Sequence, residues 1–181
     1  MNFKEAIEQI NNNVLNFKDL PSKFKTNKEI VLKAVKLNGY FLQYASDDLK
    51  KDEEVVISAI KQNGFALEFA EKSLKKNKNI VFEALKQNGY SLQYADKTLK
   101  KDKETVMLAV KKYCFALEFA DESLKKDKEI VLEAIKQNGY SLQYSHDSLK
   151  KDREFIINSI KFSGNILSYI DDNLKKDKEI V

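Results

Sequence analysis

Two side chains of the kind that nucleophilic or metal chemistry needs occur once each: His146 and Cys114. Acyl transfer requires a nucleophile beside a general base, so His146 would have to pair with a serine or with Cys114. It sits in a polar stretch, Ser145-His146-Asp147-Ser148, which reads as a solvent-exposed loop-side segment. Cys114 reads as an inert packed thiol. A single cysteine forms no internal disulfide, and one Cys with one His leaves a four-ligand zinc site short of ligands. The adjacent carboxylates Asp47-Asp48 and Asp171-Asp172 would diverge on a helix, so they solvate turns rather than act as acid and base. The five glycines lie at least one 25-residue interval apart, which excludes a glycine-rich phosphate loop. Calcium-loop spacing is also missing. The reading assigns no catalytic residue, metal ligand or cofactor site, and it expects a non-enzyme.

The elements that could position any site come from a repeat. Copies begin at Phe24, Leu49, Leu74, Leu99, Leu124 and Leu149, and a seventh opens at Leu174. The interval is 25 residues with no insertion, which is the signature of a stacked-repeat architecture. Each copy opens with Asn27, Asp52, Asn77, Asp102, Asp127 or Asp152, good helix N-caps. An apolar set such as Ile130, Val131, Leu132, Ala134 and Ile135 follows. Its width, about 200° of the helix, predicts burial on two sides. Gly39, Gly64, Gly89, Gly139 and Gly164 all fall on one repeat position, which predicts a left-handed C′ residue ending the first helix. A short second helix follows, with Leu142, Ser145 and Leu149 on one face and Tyr140 and Tyr144 on the other. Lys-Lys turns then join the copies. The predicted fold is all-α, an α-solenoid of 25-residue helix–turn–short-helix repeats. Residues 1–23 form a degenerate capping repeat, and 24–181 hold six repeats plus the start of a seventh. That start suggests a fragment of a longer repeat protein.

Cys114 replaces the turn glycine in the fourth copy. The prediction is a strained left-handed residue there; the alternative is a first helix that runs on through Tyr113. The short helices also alternate with a 50-residue period. Tyr44, Tyr94 and Tyr144 accompany Gln43, Gln93 and Gln143, whereas Phe69 and Phe119 accompany Glu68 and Glu118. Duplication of a two-copy block explains this without a function. The competing explanation is that the Tyr and Gln side chains line an interaction surface.

The pattern Lys-Lys-Asp-x-Glu-x-Val, Ala-Ile-Lys-Gln-Asn-Gly and Leu-Glu-Phe-Ala resembles the family called domain of unknown function 4116, whose unit is about two of these copies. The resemblance covers about residues 24–181. It implies tandem helical repeats and no activity, and it carries no family catalytic residues over.

Composition bounds what such a scaffold could bind. Lys+Arg is 32 against Asp+Glu 28, and only Arg153 is an arginine. Arginine is the residue that reads bases bidentately, so sequence-specific nucleic-acid recognition is disfavoured. Hydrophobic residues make up 43% and charged residues 33%, a soluble globular balance. No run approaches the roughly 20 apolar residues of a membrane span. The N-terminal MNFKEAIEQI lacks the apolar core of a secretory signal, so a cytoplasmic location is expected. The expected role is a protein- or peptide-interaction module. The alternative is sequence-independent binding of nucleic acid or another anionic surface along a lysine edge: Lys50, Lys51, Lys75, Lys76, Lys100, Lys101, Lys125, Lys126, Lys150 and Lys151. Uncovered apolar residues at the C-terminus, Ile180 and Val181, predict end-to-end self-association.

Overall fold

The computed structural model describes residues 1–11 and 17–180. Asn12, Asn13 and Val181 therefore lie outside the described residues. Every described element is an α- or 3₁₀-helix. The chain forms two compact units, Met1–Asp96 and Lys97–Val181, each of which repeats the same construction.

The first unit holds α1 (Phe3–Asn11), α2 (Lys28–Leu37), α3 (Glu53–Gln62) and α4 (Lys78–Gln87). The second holds α5 (Lys103–Lys112), α6 (Lys128–Gln137) and α7 (Arg153–Ile160). The predicted N-caps are in place. The Asp52 carboxylate accepts from the Val55 N–H, Asp102 from Thr105 and Asp152 from Phe155, which satisfies first-turn donors that no helical carbonyl can reach. The stripe buried by each helix is narrower than expected. Ile130, Val131, Ala134 and Ile135 are fully buried, as are Val55, Val56, Ala59 and Ile60. Leu132 and its counterparts Leu32, Ile57, Phe82, Met107 and Ile157 are only half-buried, so one apolar residue per copy faces outward.

What was read as a short helix is two pieces. A 3₁₀-helix of six residues, such as Gly64–Phe69 or Gly139–Tyr144, follows each of α2–α6. An extended residue then leads into a single turn that ends at the lysines. The winding is the tighter 3₁₀ kind, and where an asparagine precedes the segment it caps the first turn. Its side chain accepts from the N–H two residues on: Asn38 from Tyr40, Asn63 from Phe65, Asn138 from Tyr140.

The glycines do not serve as left-handed stops. None of Gly39, Gly64, Gly139 and Gly164 has a positive φ. At Gly39, Gly64 and Gly139 the position is one of close approach. A Cβ on Gly39 would stand 2.5 Å from the Ala59 carbonyl oxygen of the next long helix, and one on Gly64 2.6 Å from the Ala84 oxygen. The expectation for Cys114 fails for the same reason. The turn keeps its register, with α5 ending at Lys112 and Cys114 opening the 3₁₀-helix Cys114–Phe119. Left-handed strain has no part in it, because glycine is not used there for its backbone freedom.

The described residues before Phe24 pack as a further layer. Ala6, Ile10, Phe17 and Leu20 are buried, and the Phe17 ring lies 5.8 Å from that of Phe41. At the other end Ile180 is buried, as are Ile166 and Ile170. The apolar residue that this end exposes is Phe162.

Candidate functional site

Within each unit, successive copies are tied at three levels. The first is a backbone rail along the Lys-Lys turns. In the first unit the N–H groups of Ser46, Glu71 and Asp96 donate to the carbonyls of Lys25, Lys50 and Lys75, each at 3.0 Å. In the second, Asp121, His146 and Asp171 donate to Lys100, Lys125 and Lys150 at 2.9–3.0 Å. The second level is an ion-pair staple between long-helix N-termini. Lys28 Nζ reaches Asp52 at 2.7 Å and Glu54 at 2.8 Å, and Lys103 reaches Asp127 at 2.8 Å and Glu129 at 2.7 Å. Lys128 and Arg153 repeat the contact with Asp152 and Asp177. The third is an edge-to-face zipper of rings: Tyr40–Phe69, Phe65–Tyr94, Phe115–Tyr144 and Tyr140–Tyr169, with centroids 5.9–6.2 Å apart.

The Tyr and Gln rows belong to that third level. Tyr44, Tyr94 and Tyr144 are half-buried. Gln43, Gln93 and Gln143 donate from Nε2 to the carbonyls of Tyr40, Tyr90 and Tyr140 at 3.0–3.3 Å, so each is folded back on its own 3₁₀-helix. The phenol of Tyr94 bonds to Glu68 of the preceding copy, and that of Tyr144 feels the charge of Glu118. Burial, and then the hydrogen bond and charge of Glu68, raise the Tyr94 phenol above its ordinary pKa. Burial and the charge of Glu118 do the same at Tyr144. The 50-residue alternation thus coincides with a pairing between neighbouring copies. A Phe–Glu copy supplies a carboxylate, and the Tyr–Gln copy after it supplies a phenol that bonds to it at Tyr94 and lies in its field at Tyr144.

The lysine turns are stacked within each unit by the rail, but acids interleave them. Lys50 pairs with Asp47, Lys125 with Glu122 and Lys150 with Asp147. Lys51 lies 4.0 Å from Asp48 and Lys101 3.6 Å from Asp121. Lys75 donates to the Glu68 carbonyl at 2.6 Å, and burial lowers its pKa. Lys100 contributes its carbonyl to the rail, while Lys76, Lys126 and Lys151 are exposed. The local field of this edge is mixed rather than basic.

His146 holds a structural post. Its Nδ1 accepts from the Ser148 N–H at 3.1 Å, as Asp121 accepts from Ser123. Cys114 is buried, which raises its pKa and keeps the thiol protonated. Among the described residues no three His, Cys, Asp or Glu side chains come together as a metal site would require. Among the described residues no helix is long and apolar enough to cross a membrane.

The outward apolar residues line shallow grooves between successive long helices. In the first unit Ile57, Ile80 and Phe82 floor one, flanked by Glu53, Glu83 and Lys86. In the second unit Leu132 and Phe155 floor its counterpart, flanked by Lys128, Glu129 and Glu154. The sequence reading counted Leu132 as core and did not single out the other floor residues.

No curated protein and no solved structure matches the chain. The family described as a domain of unknown function, DUF4116, matches residues 4–50, 52–100, 102–150 and 152–181. The two complete internal matches each pair one Phe–Glu copy with the Tyr–Gln copy after it, so Glu68 with Tyr94 and Glu118 with Tyr144 fall inside single family units. The first match takes in the layer before Phe24. The chain thus belongs to the DUF4116 family, as four successive repeats from residue 4 to residue 181.

Proposed function

We propose that the chain is a non-enzymatic helical-repeat scaffold of the α-solenoid kind that binds a protein or peptide partner. The grooves between successive long helices carry this reading. They recur at equivalent positions in both units, with apolar floors and charged walls, the surface that a repeat array offers to an extended partner. Binding of an anionic surface along the lysine turns draws less support, because acids neutralise that edge. A cytoplasmic setting suits a chain whose one cysteine is a buried free thiol. Selecting a random peptide-display library on the immobilised chain tests the reading. The expected result is enrichment of a shared motif that binds the chain in solution. Failure to enrich any motif on the folded chain overturns it.

A further inference from the structure

The charged positions of the repeat are not used alike. Lysines at the long-helix N-termini are stapled, and most inner turn lysines are paired. One row differs. Lys36 recurs as Lys61, Lys86, Lys111, Lys136 and Lys161, a lysine in every copy and exposed in every copy. Lys86 pairs with Glu83. In the second unit Lys111, Lys136 and Lys161 have no carboxylate within 4.0 Å among the described residues. Within one helical turn of them along the chain, only Glu133 is acidic; α5 has Leu108 at that place and α7 has Asn158. The negative end of a helix favours a cation in its last turn. That accounts for a lysine here but not for what surrounds it. Five of the seven large apolar side chains exposed in the described residues follow this lysine by one to four positions: Leu37, Tyr40, Tyr113, Tyr140 and Phe162. Tyr113, Tyr140 and Phe162 are 38%, 43% and 51% exposed. Lys86 also lines the α3–α4 groove, so edge and groove are continuous there.

An exposed row of cations beside apolar rings fits an anionic partner that also brings apolar groups. A base-stacking platform for nucleic acid leaves its ring faces open. Here Tyr113 is engaged edge-to-face with Phe115 at 5.5 Å and Tyr140 with Tyr169 at 6.0 Å, and Lys136 Nζ sits 5.5 Å over the Phe162 ring. We propose that the C-terminal edge of α5–α7 binds an extended acidic peptide, its carboxylates meeting Lys111, Lys136 and Lys161 and its apolar residues resting on Tyr113, Tyr140 and Phe162. Packed helices lie about 8–10 Å apart, and three residues of extended chain span about 10 Å. The matching ligand therefore carries Asp or Glu at every third residue with apolar residues between.

This inference rests on the peptide-binding reading, and the test separates the two. The probe is a fluorescent peptide of four Glu-Leu-Ser triplets, with a Lys-Leu-Ser peptide and oligouridine as comparisons, titrated into the full chain. The acidic peptide binds and weakens as salt rises. The triple variant K111Q/K136Q/K161Q weakens it about tenfold with an unchanged melting temperature, while K126Q/K151Q in the lysine turns leaves it unchanged. F162A, which removes a ring without touching charge, also weakens it. No binding up to about 1 mM peptide overturns the proposal, as does equal binding of the basic peptide, tighter binding of oligouridine, or indifference to the triple variant. If the display library enriches peptides without acids, the peptide-binding reading stands and this edge assignment falls.

Discussion

A methyl group on Gly39 would stand 2.5 Å from the Ala59 carbonyl oxygen, and one on Gly64 2.6 Å from that of Ala84. Both are well inside van der Waals contact, and both partners are backbone atoms that cannot rotate away. At Gly164 nothing lies within 4 Å. The three positions share one repeat register and similar 3₁₀ geometry, so alanine substitution isolates close approach from backbone freedom. Gly39→Ala and Gly64→Ala should each destabilise the chain by about 1–3 kcal/mol, the usual cost of overpacking. Gly164→Ala should be neutral or stabilise by up to about 1 kcal/mol, through lost freedom of the unfolded chain. Denaturant titration of the three variants decides it. Equal losses at all three sites would mean that backbone conformation, not the neighbouring carbonyl, selects glycine. The sequence placed these glycines correctly at the ends of the long helices. It could not reveal their role, because a left-handed stop and a close approach select the same residue, and only the neighbouring helix tells them apart.

At the scale of elements, the long helices were legible because their signals are local. Caps and four core positions recur in each copy, and the structure reproduces them. The 3₁₀ segments were not legible: Cys114–Phe119 winds the same way after Tyr113, which makes no side-chain cap, so no single local residue signals the tighter turn. The outward position of Leu132 was likewise hidden, because its burial is settled by how closely α6 and α7 approach. The staple between helix N-termini leads to a pH prediction. The Lys28 ammonium, with the Val55 N–H assisting, holds the Asp52 carboxyl below its ordinary value. Lys128 and the Phe155 N–H do the same for Asp152. A carboxyl whose folded pKa is depressed contributes stability that is fully present above its unfolded pKa, near about 4, and is lost as pH falls through the folded value. The melting temperature should therefore stay level from about pH 7 to pH 5 and decline below about pH 4. In Asp52→Asn with Asp152→Asn that decline should be shallower. Because both carboxylates are partly solvated, the effect per site is modest, and an unaltered acid limb in the double variant would assign acid sensitivity to other groups. Asp152→Ala, which also removes the cap, should cost about 1 kcal/mol at neutral pH.

For the molecule as a whole, the unit of construction is two copies rather than one. The Glu68 carboxylate and the Tyr94 phenol bond across neighbouring copies, and the Glu118 charge acts on Tyr144 across the next such pair. Repeat proteins gain stability from each copy and from each interface between neighbours. On that basis alone, shortening the chain by one copy should cost less than shortening it by two. The alternation modifies this expectation. Excising residues 52–101 joins Lys51 to Asp102, so the copy with Tyr40 and Gln43 is followed, as before, by a Phe–Glu copy. Excising residues 77–101 joins Lys76 to Asp102 and brings the copy with Phe119 next to that with Glu68, which then has no phenol to meet. That one-copy deletion should lose about 1 kcal/mol beyond what its length predicts, the scale of a partly exposed hydrogen bond to a charged group. The repair is specific. Phe119→Tyr should recover most of that loss in the one-copy deletion, yet gain little in the intact chain, where the preceding copy carries Gln93 instead of a glutamate. Denaturant midpoints of the two deletions, each with and without Phe119→Tyr, decide it. A gain of equal size in both backgrounds would mean that the hydroxyl acts locally and that the 50-residue period is an accident of duplication.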